Sequence, residues 1–251
     1  MVGNNSYQRS VALSSSSRVI GIAYENVNRF RSYLNLGVVN DSLATENARL
    51  KEQLKSSFYV DSVEEKTVKD TALKQQYTFI VARVVNNSIH QKDNYITINR
   101  GKLHGIAKGM GVISPSGVVG IVRTVSNHYS TVQSILHTDT RISAGISENG
   151  AFGSLVWGEE EFDPQMATLR DIPNHVIVKK GQHVVTTGFS LFPPGIPIGT
   201  ITITGAKGGE SFLDIKVKLA TDFSTLQYVY VVKNHFALEQ QQLEAQSKKN
   251  E

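Results

Sequence analysis

The fold class is decided by one alternating stretch, Leu213-Asp214-Ile215-Lys216-Val217-Lys218-Leu219, in which apolar and charged residues take turns without interruption. Successive side chains of a β-strand point to opposite faces, so this pattern predicts a strand with one buried face. Ile201-Thr202-Ile203-Thr204 shows the same alternation a few residues earlier. The stretch therefore predicts β structure, and the question becomes how many such strands the chain contains.

Short strand candidates fill the chain from Tyr77 to Asn234. They are Thr78–Asn86, Tyr95–Asn99, Gly111–Ser114, Val118–Val125, Thr131–Leu136, Arg141–Ile146, Phe152–Trp157, Ala167–Arg170, His183–Thr187, Gly199–Thr204, Leu213–Leu219 and Tyr228–Val232. Many short strands separated by turn residues, with hardly a helix among them, predict a sandwich or a barrel. Twelve strands exceed one small closed barrel, so the sequence predicts two barrels of six strands each.

Counting strands predicts how the barrels divide the chain. Residues 137–219 contain six candidates and can close alone, whereas residues 77–136 contain five. The segment 220–234 supplies the missing sixth strand, Tyr228–Val232. We therefore predict that the last strand returns to the first barrel and that the second barrel is inserted between.

A heptad repeat precedes the strands and predicts a long helix over residues 17–57. The seam consists of Leu36, Asn40, Leu43, Asn47, Leu50 and Leu54. Apolar residues at this spacing are typical of a left-handed coiled coil, and Asn within the seam favours two parallel strands in one register. We predict a homodimer through this seam, and on this hypothesis Asn47→Leu raises thermal stability. A lone amphipathic helix packed on its own domain is the alternative.

The rest of the chain is polar and its composition is unremarkable. We predict a flexible juxtamembrane stub at 1–16, a linker at 58–76 and a disordered tail at 235–251. The chain has no cysteine, which excludes disulfides and thiolate metal sites. Its formal net charge of +4 is small and its basic residues are scattered along the sequence, which argues against nucleic-acid binding. The seven histidines are dispersed, so we predict no metal site and no cofactor.

Glycine is concentrated in a first motif, Asn99 to Gly120. Its glycines are spaced like those of a phosphate loop, but the motif runs into a strand and lacks the Gly-Lys-Ser/Thr that opens a helix. Turns that need positive φ explain it better. Turn glycines are predicted here and in the second motif at Gly101, Gly105, Gly109, Gly117, Gly120, Gly188, Gly195 and Gly199.

The second motif, Val185 to Gly199, contains half of the prolines of the chain. Its apolar side chains are either a rigid docking knob for a partner or a plug at the end of a barrel. Candidate contact residues on the first interpretation are Phe189, Leu191, Phe192 and Ile196, with Trp157 as a weaker one.

Together the two motifs resemble the MreC family of rod shape-determining proteins. The resemblance rests on Asn-x-Gly-x-x-x-Gly-Ile-x-x-Gly-Met at 99–110, Gly-Val-Val-Gly at 117–120 and Thr-Thr-Gly followed by Phe-Pro-Pro-Gly-Ile-Pro-Ile-Gly at 186–199. It covers residues 17 to about 234, and the segments 40–43 and 222–226 look most like members from the Bacteroidota.

The resemblance implies a non-enzymatic periplasmic scaffold of the cell-wall elongation complex that maintains cell shape. Family members are anchored to the inner membrane by an N-terminal helix, which is absent from this sequence, so an upstream segment is expected. The resemblance implies a homodimer, and leaves open whether dimers assemble further into filaments. The partners of family members are MreD, RodZ and the elongation-specific penicillin-binding transpeptidase.

Two other functions fit parts of the pattern. Two six-stranded barrels also describe chymotrypsin-like proteases, but no Gly-Asp-Ser-Gly surrounds a serine, and His137 and Asp139 are close neighbours in the sequence. A periplasmic adaptor of an efflux or secretion system also joins coiled coil to β domains. Its stalk is a hairpin of two helices, whereas this chain has one seam helix.

Overall fold

The computed structural model describes residues 39–54, 58–60, 73–158, 162–189, 191–204 and 211–247. The chain divides into two compact units, residues 1–46 and 47–251. The predicted stub, most of the predicted coiled coil including Leu36, and Glu159–Glu161 lie outside the described residues.

Helix α1 spans residues 39–52. It ends in a tight turn, where the amides of Gln53 and Leu54 donate to the carbonyls of Leu50 and Lys51. The described helix is therefore short, and it stops five residues before the predicted end at 57. Near this end the Glu52 side chain accepts a hydrogen bond from the amide of Phe79 in β3 of the first barrel.

Beyond α1 the described secondary structure is almost entirely β. The strands are β1 Phe58–Val60, β2 Leu73–Gln75, β3 Tyr77–Asn87, β4 Asp93–Ile98, β5 Gly111–Ile113, β6 Val118–Val125, β7 Ser130–His137, β8 Ile142–Ile146, β9 Phe152–Val156, β10 Met166–Pro173, β11 His183–Thr186, β12 Pro197–Ile203, β13 Phe212–Leu219 and β14 Tyr228–Asn234. Helix α2 spans Ala237–Ser247, and single 3-10 turns lie at Lys102–His104 and Phe223–Thr225.

Twelve of these strands form two closed antiparallel barrels. Barrel 1 has the order β14-β3-β4-β7-β6-β5, and barrel 2 has the order β10-β13-β12-β11-β8-β9. Strand β14 pairs with β3 along its whole length and with β5 on its other side. The two six-stranded barrels are thus confirmed, and the last strand closes barrel 1 as the strand count requires.

The alternating stretch that predicted the fold forms β13. Ile215, Val217 and Leu219 are buried, and Lys218 between them is exposed. Apolar residues of this kind from all twelve barrel strands join one continuous core that runs through both barrels. Burying each such side chain stabilises the fold by roughly 1.5–3 kcal/mol.

The barrels meet where the two glycine-containing motifs touch. A Cβ placed on Gly117 of barrel 1 would lie 2.3 Å from the carbonyl oxygen of Pro197 in barrel 2. The Ser114 hydroxyl lies 3.1 Å from that of Thr221, and Thr221 donates to the carbonyl of Val118. The backbones approach so closely that only glycine fits at 117, so the first motif serves the junction between the barrels.

Two predictions at the edges of the barrels need correction. The tail, predicted to be disordered from 235, contains helix α2, because Ala237–Ser247 is rich in the helix formers Ala, Leu, Glu and Gln. The amide of Phe236 donates to the side chain of Asn234 just before it. The predicted linker contains the strand pair β1 and β2, which are antiparallel.

Candidate docking surface

The loop after β11 is held from within by Thr186. Its buried hydroxyl donates to the carbonyl of Pro193 at 2.6 Å and accepts from the amide of Ile196 at 2.9 Å. Its backbone exchanges two further hydrogen bonds with Gly195 and Ile196. These bonds, together with the φ angles fixed by Pro193 and Pro194, hold residues 193–196 against the end of β11.

Inside this loop, Phe192 lies in the core. It is 1% exposed, and its ring is so close to Gly111 of barrel 1 that a Cβ there would meet it at 2.7 Å. Leu191 and Ile196 are partly buried and pack against the core. Trp157 is also buried, and its indole N–H donates to the carbonyl of Asp163. Because Phe192 and Trp157 are buried, they cannot serve as surface anchors, and the prediction that they contact a partner is wrong.

Phe189 is the loop residue that projects into solvent, with 80% of its surface exposed. Its ring lies 6.0 Å from that of Phe152, which is itself 60% exposed, at an angle of 59°. The amide of Phe189 donates to the hydroxyl of Thr187, which in turn lies 2.8 Å from that of Ser143. We call Phe152 and Phe189 the aromatic pair.

A shallow depression of about 360 Å³ adjoins Phe152. It is lined by Arg141, Ser143, Phe152, Gly153, Ser154 and Asp171. Asp171 has φ of +65°, a conformation that costs a non-glycine residue free energy. It lies at a register shift of β10 against β13, between Leu169 and Ile172. Sequence reasoning missed Phe152 and Asp171, because the alternation of β9 and β10 does not reveal which outward residues lie beside a loop.

Glycine is required at the predicted turn positions for two different physical reasons. Positive φ is found at Gly105, Gly109, Gly188 and Gly195. Close approach of another backbone or side chain, and not positive φ, excludes a side chain at Gly101, Gly117, Gly120 and Gly199. The prediction of positive φ is therefore wrong for the second group.

In the described part of the predicted dimer seam, Asn40 is half-buried and the other residues are exposed. Leu43, Leu50 and Leu54 are each about half exposed. Asn47 is exposed too, but its side chain hydrogen-bonds to the Tyr230 phenol of barrel 1. Burial raises the pKa of that phenol, and the hydrogen bond from Asn47 opposes the shift. Asn47 thus has a partner within its own chain, which the heptad pattern does not reveal.

Lys51 completes this contact between α1 and barrel 1. Its ammonium lies 5.9 Å from the centre of the Tyr230 ring, and burial lowers the pKa of the lysine. Ala48, one turn earlier, is 5% exposed and belongs to the core. The face that carries Ala48 and Lys51 therefore packs inward, while Leu50 and Leu54 face solvent.

A protease site is not supported by the surroundings of His137. This residue is buried in barrel 1, with Nε2 3.1 Å from the Tyr95 hydroxyl. Its Nδ1 accepts a hydrogen bond from the backbone amide of Asp139, whereas a triad histidine donates from Nδ1 to a carboxylate. Ser190 lies outside the described residues. Among the described residues, no three His, Asp or Glu lie close enough to hold a metal ion.

The fold defines a class of protein built from two joined six-stranded antiparallel barrels. The sequence profile of the family "Rod shape-determining protein MreC, barrel core" matches residues 84–233. The chain belongs to the MreC family.

Known proteins give the same assignment. The cell shape-determining protein MreC of Listeria monocytogenes is 31% identical over 204 residues, which cover 75% of this chain and 68% of the relative. A solved structure of the MreC of that organism has a TM-score of 0.58 at 28% identity and covers 82% of this chain and 93% of its own.

A second solved neighbour shows the same fold at greater distance. The MreC of Helicobacter pylori, solved in complex with the penicillin-binding protein PBP2, has a TM-score of 0.52 at 15% identity. The match covers 64% of this chain and 99% of that one. In the part of the chain that the structure describes, no helix is long and apolar enough to cross a membrane.

Proposed function

We propose that this protein is a non-enzymatic periplasmic scaffold of cell-wall elongation that docks the elongation-specific penicillin-binding transpeptidase on barrel 2. The observation that carries the proposal is the aromatic pair, two exposed rings whose centres lie 6.0 Å apart on barrel 2. Exposed aromatic residues on a fixed backbone are the usual anchors of protein interfaces, because little conformational freedom is lost on binding.

Two further observations support this function. The relatives are named for cell-shape determination, and the Helicobacter pylori relative was solved with a penicillin-binding protein. The loop after β11 gives the second observation, because Phe192 lies in the core while Phe189, three residues earlier, is exposed. The partly buried Leu191 and Ile196 stay candidates at the margin of the contact.

The proposal is tested by measuring transpeptidase binding to Phe189→Ala and Phe152→Ala variants. Truncating an interface anchor typically costs about 2 kcal/mol, so each variant should bind at least about tenfold more weakly. Phe212→Ala is the matched control, since Phe212 is an exposed aromatic residue on the same barrel. Equal binding by all three variants would exclude the aromatic pair as the docking surface.

A homodimer through the heptad seam is the second part of the proposal. Its support is the heptad pattern and the exposure of Leu43, Leu50 and Leu54. Analytical ultracentrifugation of a Leu43→Glu/Leu50→Glu variant should give the monomer mass while far-UV circular dichroism keeps its β signal. A dimer that persists in this variant would place the contact elsewhere.

The membrane anchor and the remaining partners rest on family membership. In this proposal an N-terminal helix beyond this sequence holds the protein at the inner membrane, and MreD and RodZ join the complex there. Co-purification of the full-length protein with each partner from solubilised membranes tests this, and absence of MreD and RodZ would contradict it.

A further inference from the structure

Positive charge is unevenly distributed along the chain, although its basic residues look scattered. Residues 94–138 include Arg100, Lys102, Lys108 and Arg123 but no aspartate or glutamate. Such a stretch attracts anions unless the fold brings carboxylates to it from elsewhere. The structure shows where these cations go.

Three cations meet at a groove of about 300 Å³ that barrel 1 forms with residues 139–141, which follow β7. It is lined by Lys108, Gly109, Ile121, Val122, Arg123, Gln133, Asp139, Thr140 and Arg141. Lys108, Arg123 and Arg141 are exposed, and within the described part of the chain none of them forms an ion pair. Asp139 is the single carboxylate in the lining, so the groove is net positive.

The first glycine motif positions two of these cations. The register of β6 against β7 shifts between Val122 and Thr124, so Arg123 is the extra residue of a β-bulge, a feature that re-aims a side chain. The Gly109 amide donates to the Val122 carbonyl, and the Val122 amide donates to the Met110 carbonyl. These bonds fasten the loop carrying Lys108 to the bulge that carries Arg123.

The groove suits separated carboxylates better than a compact phosphate. Phosphate sites commonly use free backbone amides, but here the amides of Gly109 and Val122 are already bonded. The side-chain amide of Gln133 is also bonded, since its Nε2 donates to the Thr140 hydroxyl. What remains is a rim of three side-chain cations around a floor that includes the partly buried Ile121.

We infer that this basic groove binds an extended acidic segment of a partner protein. Arg141 also lines the depression beside Phe152 and is the one residue that lines both sites. The inference concerns a different surface from that of the proposed function and does not depend on the identity of the partner. Carboxylates of the segment pair with the three cations, and its apolar side chains lie on the floor.

The test uses a fluorescein-labelled decapeptide in which aspartate alternates with leucine, and a twin with asparagine at every aspartate position. Fluorescence anisotropy at low salt should show binding of the first peptide and not of the second. Exposed charge pairs are each worth up to about 1 kcal/mol, so Arg123→Gln/Arg141→Gln should weaken binding about fivefold to tenfold. Binding should also weaken as salt rises.

Lys179→Gln/Lys180→Gln is the matched control, because it removes the same charge from exposed positions on barrel 2. This variant should bind the peptide like the parent protein. Equal losses in both double variants would show attraction to net charge alone and overturn the inference. Stronger binding of inorganic pyrophosphate than of the peptide would overturn it in favour of a phosphate site. Binding of anionic phosphatidylglycerol vesicles without peptide binding would overturn it in favour of a membrane surface.

Discussion

The two barrels share an architecture and differ in surface chemistry. Barrel 1, residues 77–137 and 228–234, has seven lysines and arginines against one acidic residue, whereas barrel 2, residues 138–219, has seven against nine. Closing a barrel constrains the inward side chains, because they must fill its interior. The outward positions are free to differ, so one fold supplies a basic surface on barrel 1 and an aromatic one on barrel 2.

The barrels also differ in what covers them. Barrel 1 has the end of α1 packed on it through Asn47, Ala48 and Lys51. In barrel 2, the loop after β11 packs Phe192 against Gly111 of barrel 1 and exposes Phe189 to solvent. The second motif therefore both joins the barrels, through Phe192, and exposes an aromatic ring, Phe189. Substitutions at these two positions can separate the two effects.

The largest effect is expected from Phe192→Ala, which tests whether the loop of barrel 2 is anchored in the core. Removing a fully buried phenylalanine should lower the free energy of unfolding by about 3–5 kcal/mol. Urea denaturation measures this. Phe189→Ala is the control and should change stability little, since its ring is exposed. A stable Phe192→Ala protein would mean that the loop does not join the barrels.

Gly117→Ala tests the close contact between the barrels. The added methyl group would overlap the Pro197 carbonyl, and overpacking of this kind costs about 1–3 kcal/mol. Thermal unfolding should show the loss, whereas Ser116→Ala at the exposed neighbouring position should not. An unchanged melting temperature for Gly117→Ala would indicate that the barrels separate freely.

Asn47→Ala tests the packing of α1 on barrel 1. Loss of its hydrogen bond to Tyr230 should destabilise the chain by about 0.5–1.5 kcal/mol in urea denaturation. Exposed Gln53 gives the matched control, Gln53→Ala. The heptad hypothesis predicts the opposite sign for Asn47→Leu, so a stabilised Asn47→Leu variant would favour the seam over the contact with Tyr230.

The smallest effect concerns pH and barrel 2. A hydrogen bond from His183, at 2.9 Å, lowers the pKa of the exposed Glu148. A lowered folded-state pKa stabilises the fold above the unfolded value, and this contribution disappears as pH falls through the folded value. The melting temperature of the parent protein should therefore approach that of Glu148→Gln progressively as pH falls below the ordinary glutamate pKa of about 4.3. A difference that grows on acidification would contradict this assignment.

The sequence alone determined the class of fold. Alternation in segments such as Leu213–Leu219 is a local property, because a strand shows its two faces in its own residues. Strand counting then required β14 to return to barrel 1. The two motifs carried the family resemblance, which the match over residues 84–233 bears out.

Only the tertiary structure decided which side chains are buried and which are brought together. Phe189 and Phe192 look alike in the sequence, but one is 80% exposed and the other 1%. Asn47 obtained its partner from barrel 1, and Lys108, Arg123 and Arg141 gathered at one groove. These outcomes depend on contacts between distant segments, and local periodicity contains no information about which distant surface a residue will meet.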